Sequence, residues 1–195
     1  WHEALELLAE MQAQGLEPNV ITYSAAISAC EKGSQWQQAL ELLAEMQAQG
    51  LEPDVITYNA AISACEKGSQ WHEALELLAE MQAQGLEPDV ITYNAAISAC
   101  EKGSQWHEAL ELLAEMQAQG LEPNVITYSA AISACEKGSQ WQQALELLAE
   151  MQAQGLEPDV ITYNAAISAC EKGSQWHEAL ELLAEMQAQG LEPNV

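Results

Sequence analysis

A 35-residue string recurs through this chain almost without error. Val20–Asp54 returns as Val55–Asp89, Val90–Asn124, Val125–Asp159 and Val160–Asn194, after a half-repeat, Trp1–Asn19. A period of this length marks a stacked array in which each repeat contacts mainly its neighbours, rather than a closed globular core. The organisation expected is therefore a partial repeat over 1–19 that supplies a second helix only, five complete repeats (20–54, 55–89, 90–124, 125–159, 160–194), and residue 195 as the start of a further one. Both ends fall inside a repeat, so the chain reads as an excerpt of a longer array.

One repeat, Val55–Asp89, shows the local logic. Pro53 separates two helical patterns, and Asp54 or Thr57 can cap the helix that follows. Tyr58, Ile62 and Cys65 recur at i, i+4 and i+7, one helix face, while Ala60, Ala61 and Ala64 keep the rest slim enough for a close neighbour. Gly68 ends this first helix, with Lys67 in the last turn, where a cation suits the dipole. Ser69 is expected to cap a second helix. Its apolar stripe is read as Trp71, Leu75, Leu78 and Gln82, widened by Ala74, Leu77, Ala79 and Met81. Gly85 supplies a left-handed end, Leu86 folds back, and Pro88 forbids continuation. The four β-prone residues Val55–Tyr58 run into alanines, so no strand is expected. The fold class expected is all-α: antiparallel helix pairs stacked as an α-solenoid, since a lone hairpin cannot bury both its faces.

The formal net charge is −25, from 30 acidic residues against five lysines and no arginine. Taken alone, this argues against a polyanionic partner. Its placement changes the argument. In the repeat above, Glu73, Glu76 and Glu80 share one face of the second helix, and Glu87 and Asp89 lie in the linker. Only Glu66 stands on the first helix, beside Lys67. Three like charges so spaced are expected to face water. The first helices then form a nearly neutral surface and the second helices an acidic back.

Cys30, Cys65, Cys100, Cys135 and Cys170 occur once per repeat, too far apart for disulfides if helices pack at ordinary distances, and read as buried free thiols. No apolar run is long enough to span a membrane. His2, His72, His107 and His177 read as exposed helix residues, too scattered to hold a metal. The Tyr23 and Trp series read as core by spacing. Ser28 and its equivalents have no general base arranged near them in sequence, so neither cofactor nor catalytic residue is expected.

The string Val-Ile-Thr-Tyr-Asn-Ala-Ala-Ile-Ser-Ala-Cys-Glu-Lys-Gly, followed by Ala-Leu-Glu-Leu-Leu-Ala-Glu-Met and Gly-Leu-Glu-Pro-Asp, resembles the pentatricopeptide repeat family over the whole chain. The related 34-residue tetratricopeptide pattern, with Trp, Gly and Tyr in its first helix, fits poorly. The resemblance implies a right-handed superhelix whose first helices line a groove for single-stranded RNA, one nucleotide per repeat. It implies base selection by the residue after Val-Ile-Thr-Tyr together with the last residue before the next Val. The pairs here are Ser24 with Asp54, Asn59 with Asp89, Asn94 with Asn124, Ser129 with Asp159, and Asn164 with Asn194. These are nearly all the variable positions. The other variation, Gln37-Gln38 and Gln142-Gln143 against His-Glu elsewhere, tracks the Ser repeats and carries no evident coding role.

The family's pairing rules imply G for Ser with Asp, U for Asn with Asp, and C then U for Asn with Asn. The target so implied is 5′-G-U-C/U-G-C/U-3′. The resemblance further implies that Ile21, Ile56, Ile91, Ile126 and Ile161 flank the bases, and that Lys32, Lys67, Lys102, Lys137 and Lys172 face phosphates. It implies a mitochondrial or plastid setting, for which no targeting segment is visible in the chain. The competing reading is a helical-repeat scaffold that binds a protein or peptide in its concave groove.

Overall fold

The computed structural model describes residues 1–192, and these are all-α, with no strand among the described residues. Eleven helices follow in order: α1 His2–Ala13, α2 Val20–Lys32, α3 Trp36–Ala48, α4 Val55–Lys67, α5 Trp71–Ala83, α6 Val90–Lys102, α7 Trp106–Ala118, α8 Val125–Lys137, α9 Trp141–Ala153, α10 Val160–Lys172 and α11 Trp176–Ala188. The even-numbered helices are the first helices of successive repeats and the odd-numbered ones the second. The residues group into two compact units, one from Trp1 to Ala99 and one from Cys100 onward.

The same packing rule operates inside each. In the first, α2 packs on α4, and α3 lies against both α2 and α4. In the second, α8 packs on α10, and α9 lies against both. Within each unit first helices therefore stack directly on first helices, and α3 and α9 each bridge two of them. The slim alanine face makes this approach possible: Ala61 and Ala64 are fully buried, beside Tyr58, Ile62 and Cys65 on the expected stripe. The five cysteines are buried thiols. Burial, aided by the charge of Glu73, pushes the Cys65 thiol up to about 12.

The second-helix stripe is rotated from the one expected. Ala74, Leu77, Leu78 and Met81 are buried, whereas Trp71 and Leu75 are half-buried and Ala79 and Gln82 exposed. The centre of the stripe is set by what α5 must cover, the first helix α4 of its own repeat, rather than by its longest run of i, i+4 spacing.

Both helix ends close with the Schellman pattern, but with different residues in the left-handed position. At the end of α5 it is Gly85, φ 77°. Its N–H bonds Gln82 O at 2.9 Å, and Leu86 N–H reaches Met81 O at 3.1 Å. At the end of α4 it is Ser69, φ 55°, not Gly68, whose φ is −81°. Ser69 is thus spent closing the first helix and does not cap the second. Gln70 takes the N-cap position of α5 without a side-chain capping bond, and its amide Nε2 instead bonds Gly68 O at 2.9 Å.

Gly68 answers a packing demand. A Cβ there would run into the indole of Trp36, with Cγ only 2.7 Å away. The same latch recurs between Trp1 and Gly33, Trp106 and Gly138, and Trp141 and Gly173. Trp1, Trp36, Trp106 and Trp141 are half-buried clamps between successive repeats rather than core residues, and Trp176 is 61% exposed.

The third glutamate of the expected acidic face is also not solvated. Glu80 is half-buried. It accepts the Tyr58 hydroxyl at 2.8 Å and the Gln47 amide of the preceding repeat at 2.5 Å. Glu150 takes Tyr128 and Gln117, each at 2.7 Å. A fully buried tyrosine needs an acceptor for its one hydroxyl proton, and the glutamate supplies it while tying two second helices together. Burial, aided by the bond to Glu45, pushes the Tyr23 phenol up to about 12.

Candidate nucleic-acid interface

Each complete described linker ends in Asp or Asn, which caps the next first helix. Asp54 accepts from Thr57 N–H at 2.8 Å, Asp89 from Thr92 N–H at 2.9 Å, Asn124 from Thr127 N–H at 3.1 Å and Asp159 from Thr162 N–H at 2.8 Å. Pro53, Pro88, Pro123 and Pro158 are buried one residue before. The last residue of every complete described linker is therefore held on a rigid helix start rather than on a free loop.

The first member of each pair stands one turn into a first helix. Ser24 Oγ donates to Val20 O at 2.7 Å and lies 2.6 Å from Thr57 Oγ1 of the next first helix. Thr57 Oγ1 in turn donates to Asp54 Oδ1 at 2.8 Å. Ser24 and Asp54 are thus joined through one buried hydroxyl. Ser129, Thr162 and Asp159 repeat the arrangement, with separations of 2.5 and 2.7 Å. Asn59 reaches its partner directly: Nδ2 donates to Asp89 Oδ1 at 3.2 Å, and Oδ1 accepts from Thr92 Oγ1 at 2.6 Å.

The structure so brings together Ser24 with Asp54, Asn59 with Asp89, and Ser129 with Asp159. All six side chains are half-buried rather than sealed. Asn94, Asn124 and Asn164 are half-buried as well. Asn194, the partner expected for Asn164, lies outside the described residues.

Next to these pairs stand large apolar side chains in water. Ile21, Ile56, Ile91, Ile126 and Ile161 are 61–77% exposed, one per repeat. Isoleucine has no hydrogen-bonding group to justify that position, and its area there is available to a flat ligand.

The lysines lie at the other end of the same helices, eight residues beyond Asn59 in the case of Lys67, or ~12 Å along the axis. They are not simply free cations. Lys67 pairs with Glu31 of the preceding repeat, Lys137 with Glu101 at 2.6 Å and Lys172 with Glu136 at 2.5 Å. All five lysines are nonetheless exposed residues. The glutamate was read from sequence only as a neighbour of its own lysine. Its real partner is the lysine one repeat further on, which stacking alone makes adjacent.

The threonine of each first helix does more than its place in the local sequence indicates. Thr57, Thr92, Thr127 and Thr162 are fully buried polar residues. The signal was present as a threonine three positions after every Asp or Asn cap, the reciprocal capping-box spacing. Its second bond, to the Ser or Asn of the preceding repeat, has no trace in local sequence. The histidines are exposed and stack on the adjacent indole, as in Trp71–His72 with centroids 3.4 Å apart. Among the described residues no group of three or more metal-ligating side chains gathers, and no helix is long and apolar enough to cross a membrane.

Known proteins agree with this architecture. The chain matches the pentatricopeptide repeat domain over residues 5–68, 76–137 and 146–195, and the PPR repeat over 56–86 and 126–156. No curated protein matches it. Among solved structures it is similar to the pentatricopeptide repeat protein PPR10 from maize, with 34% identity, TM-score 0.75, all of this chain and 28% of that one covered. PPR10 in complex with an 18-nt psaJ RNA element gives 28% identity and TM-score 0.70, with all of this chain and 32% of that one covered. The PPR domain of Arabidopsis thaliana protein-only RNase P 1, in complex with tRNA, shares the fold at TM-score 0.76 and 16% identity, over 86% of this chain and 89% of that one. The chain thus spans under a third of PPR10. From the repeat, the helix pairs and these matches together, the chain belongs to the pentatricopeptide repeat family.

Proposed function

We propose that this chain binds single-stranded RNA and selects one base per repeat, without catalysis, through Ser24/Asp54, Asn59/Asp89, Asn94/Asn124, Ser129/Asp159 and Asn164/Asn194. One observation carries the reading. Three of the pairs that vary between repeats are brought together in space beside an exposed isoleucine, two through a threonine hydroxyl and one directly. Drift among equivalent capping residues would give no reason for the Ser/Asn partner, 30 residues away in sequence, to vary and to meet them. The similarity to PPR10, solved with RNA, supports the same reading.

The isoleucines flank the bases and the lysines face phosphates. Five such contacts would give a log–log salt slope of about −3.5, at about −0.7 per contact for single strands. Because Lys67, Lys137 and Lys172 are already paired with glutamate, phosphate must displace a carboxylate, and the measured slope is expected to be shallower. The test is selection from a randomised RNA pool. Enrichment of 5′-G-U-C/U-G-C/U-3′, with Asp54→Asn moving the first preference from G toward A, is the expected result. An enriched set that does not respond to Asp54→Asn removes base selection.

The second reading, a peptide-binding scaffold, draws on shallow clefts at the linkers, such as the one lined by Leu51, Pro53, Leu86 and Glu80. Equal binding of unrelated RNAs at low salt, together with tight capture of a basic peptide, would favour it.

A further inference from the structure

We propose that Thr57, Thr92 and Thr162 are positioning residues for specificity: each fixes which hydrogen-bonding groups the selecting Ser or Asn of the preceding repeat has left to offer a base. The inference rests on the base-selection reading above. These threonines are fully buried, so they act through the selecting side chain and not on RNA directly.

Hydrogen counting at Asn59 shows how. A primary amide has two N–H donors and two carbonyl lone pairs. One donor goes to Asp89 Oδ1 at 3.2 Å, and one lone pair takes the Thr92 hydroxyl at 2.6 Å. Thr92 Oγ1 also lies 3.0 Å from Asp89 Oδ1, but the amide oxygen carries no proton of its own, so its 2.6 Å contact requires the Thr92 proton, whereas a serine in that place can itself donate. That carboxylate is already occupied by Thr92 N–H at 2.9 Å. Reversing the amide would turn its oxygen toward a carboxylate, acceptor against acceptor. Asn59 is therefore held in one orientation with one N–H and one lone pair to spare.

At Ser24 the balance differs. Ser24 and Thr57 have two hydroxyl protons for three contacts: Ser24 with Val20 O, Ser24 with Thr57, and Thr57 with Asp54 Oδ1. The ionised Asp54 takes the Thr57 proton, since charge-assisted bonds are the stronger. The Ser24 proton then goes to Thr57 or to Val20 O, and in either case it stays inside the protein. Serine so wired meets a base only as an acceptor, which suits the ring N–H and amino donors of guanine. The same threonine thus leaves a mixed donor–acceptor in an Asn repeat and a pure acceptor in a Ser repeat.

The experiment compares 5′-GUCGC-3′ with 5′-GCCGC-3′ by fluorescence anisotropy on the full chain, with Thr92→Val and Thr92→Ser. Valine frees the second lone pair of Asn59, which can then accept from the cytosine amino group. The U-over-C ratio at the second nucleotide is expected to fall at least about threefold, the worth of one hydrogen bond. Thr92→Ser keeps the hydroxyl and is expected to keep the ratio. A purely structural threonine would lower the melting temperature and weaken both RNAs equally in Thr92→Val. An unchanged ratio in that variant overturns the inference while leaving base selection standing. Equal binding of both RNAs by the unmodified chain removes base selection at Asn59 and Asp89, and this inference with it.

Discussion

At the C-terminal end of α4, Gly68 lies against the indole of Trp36, and Cys65 is sealed beneath it. At the N-terminal end, 13 residues earlier, Asp54 and Thr57 meet Ser24 in a half-buried polar cluster. The packed end does not vary from repeat to repeat, and the polar end holds nearly all the variation. Repeat-to-repeat adhesion is carried where van der Waals fit leaves no freedom. The variable pair sits where Asp and Asn cap equally well, so its identity can change at little cost in stability. On the base selection proposed above, the array separates holding together from reading.

The widest test of that division is alkaline. Burial raises the thiols of Cys65, Cys100 and Cys135 from near 9 to about 12. The folded state holds these protons after the unfolded chain has lost them. Stability is therefore full below pH 9 and falls as pH rises toward 12. Thermal melts should be flat up to pH 9 and drop beyond it, and replacing the three cysteines by alanine should soften the drop. A melting temperature that ignores pH up to 11 would show that the packed end is looser than described.

Next in size is Gly68→Ala. Its methyl has no room beside Trp36, and overpacking of this kind costs about 1–3 kcal/mol. Chemical denaturation should show the loss, and adding Trp36→Ala should remove the penalty of the glycine change. If Gly68→Ala alone stabilises the chain, as relief of a helix-end glycine otherwise would, the latch is not tight.

At the polar end the effects are smaller and split in kind. Asp54→Ala should cost about 1 kcal/mol, the worth of a cap, and abolish discrimination at the first nucleotide. Asp54→Asn should leave stability within a few tenths of a kcal/mol while changing base preference. If the two properties move together in both variants, capping and reading are not separable.

The smallest change in stability is expected for Glu31→Gln, which releases Lys67 from an ion pair of the exposed kind, worth under about 1 kcal/mol. Affinity for all RNAs should rise about equally and the salt slope should steepen. An affinity gain confined to one base would contradict a phosphate role for Lys67.

The amino-acid sequence alone set the helix pairs, their boundaries and the face of the first helix, because caps, breakers and i, i+4 spacing act within one repeat. Val55 begins α4 and Trp71 begins α5 for local reasons. It also singled out the variable pairs, since near-identity elsewhere exposes them. What it could not supply is any contact across about one period. Ser69 in place of Gly68 as the left-handed residue, the Trp36–Gly68 latch, Glu80 as a receiver of Tyr58 and Gln47, Lys67 paired with Glu31, and Thr92 on Asn59 all depend on how far neighbouring hairpins approach. That distance is fixed by side chains from two repeats packing at once, so only the tertiary structure decides it.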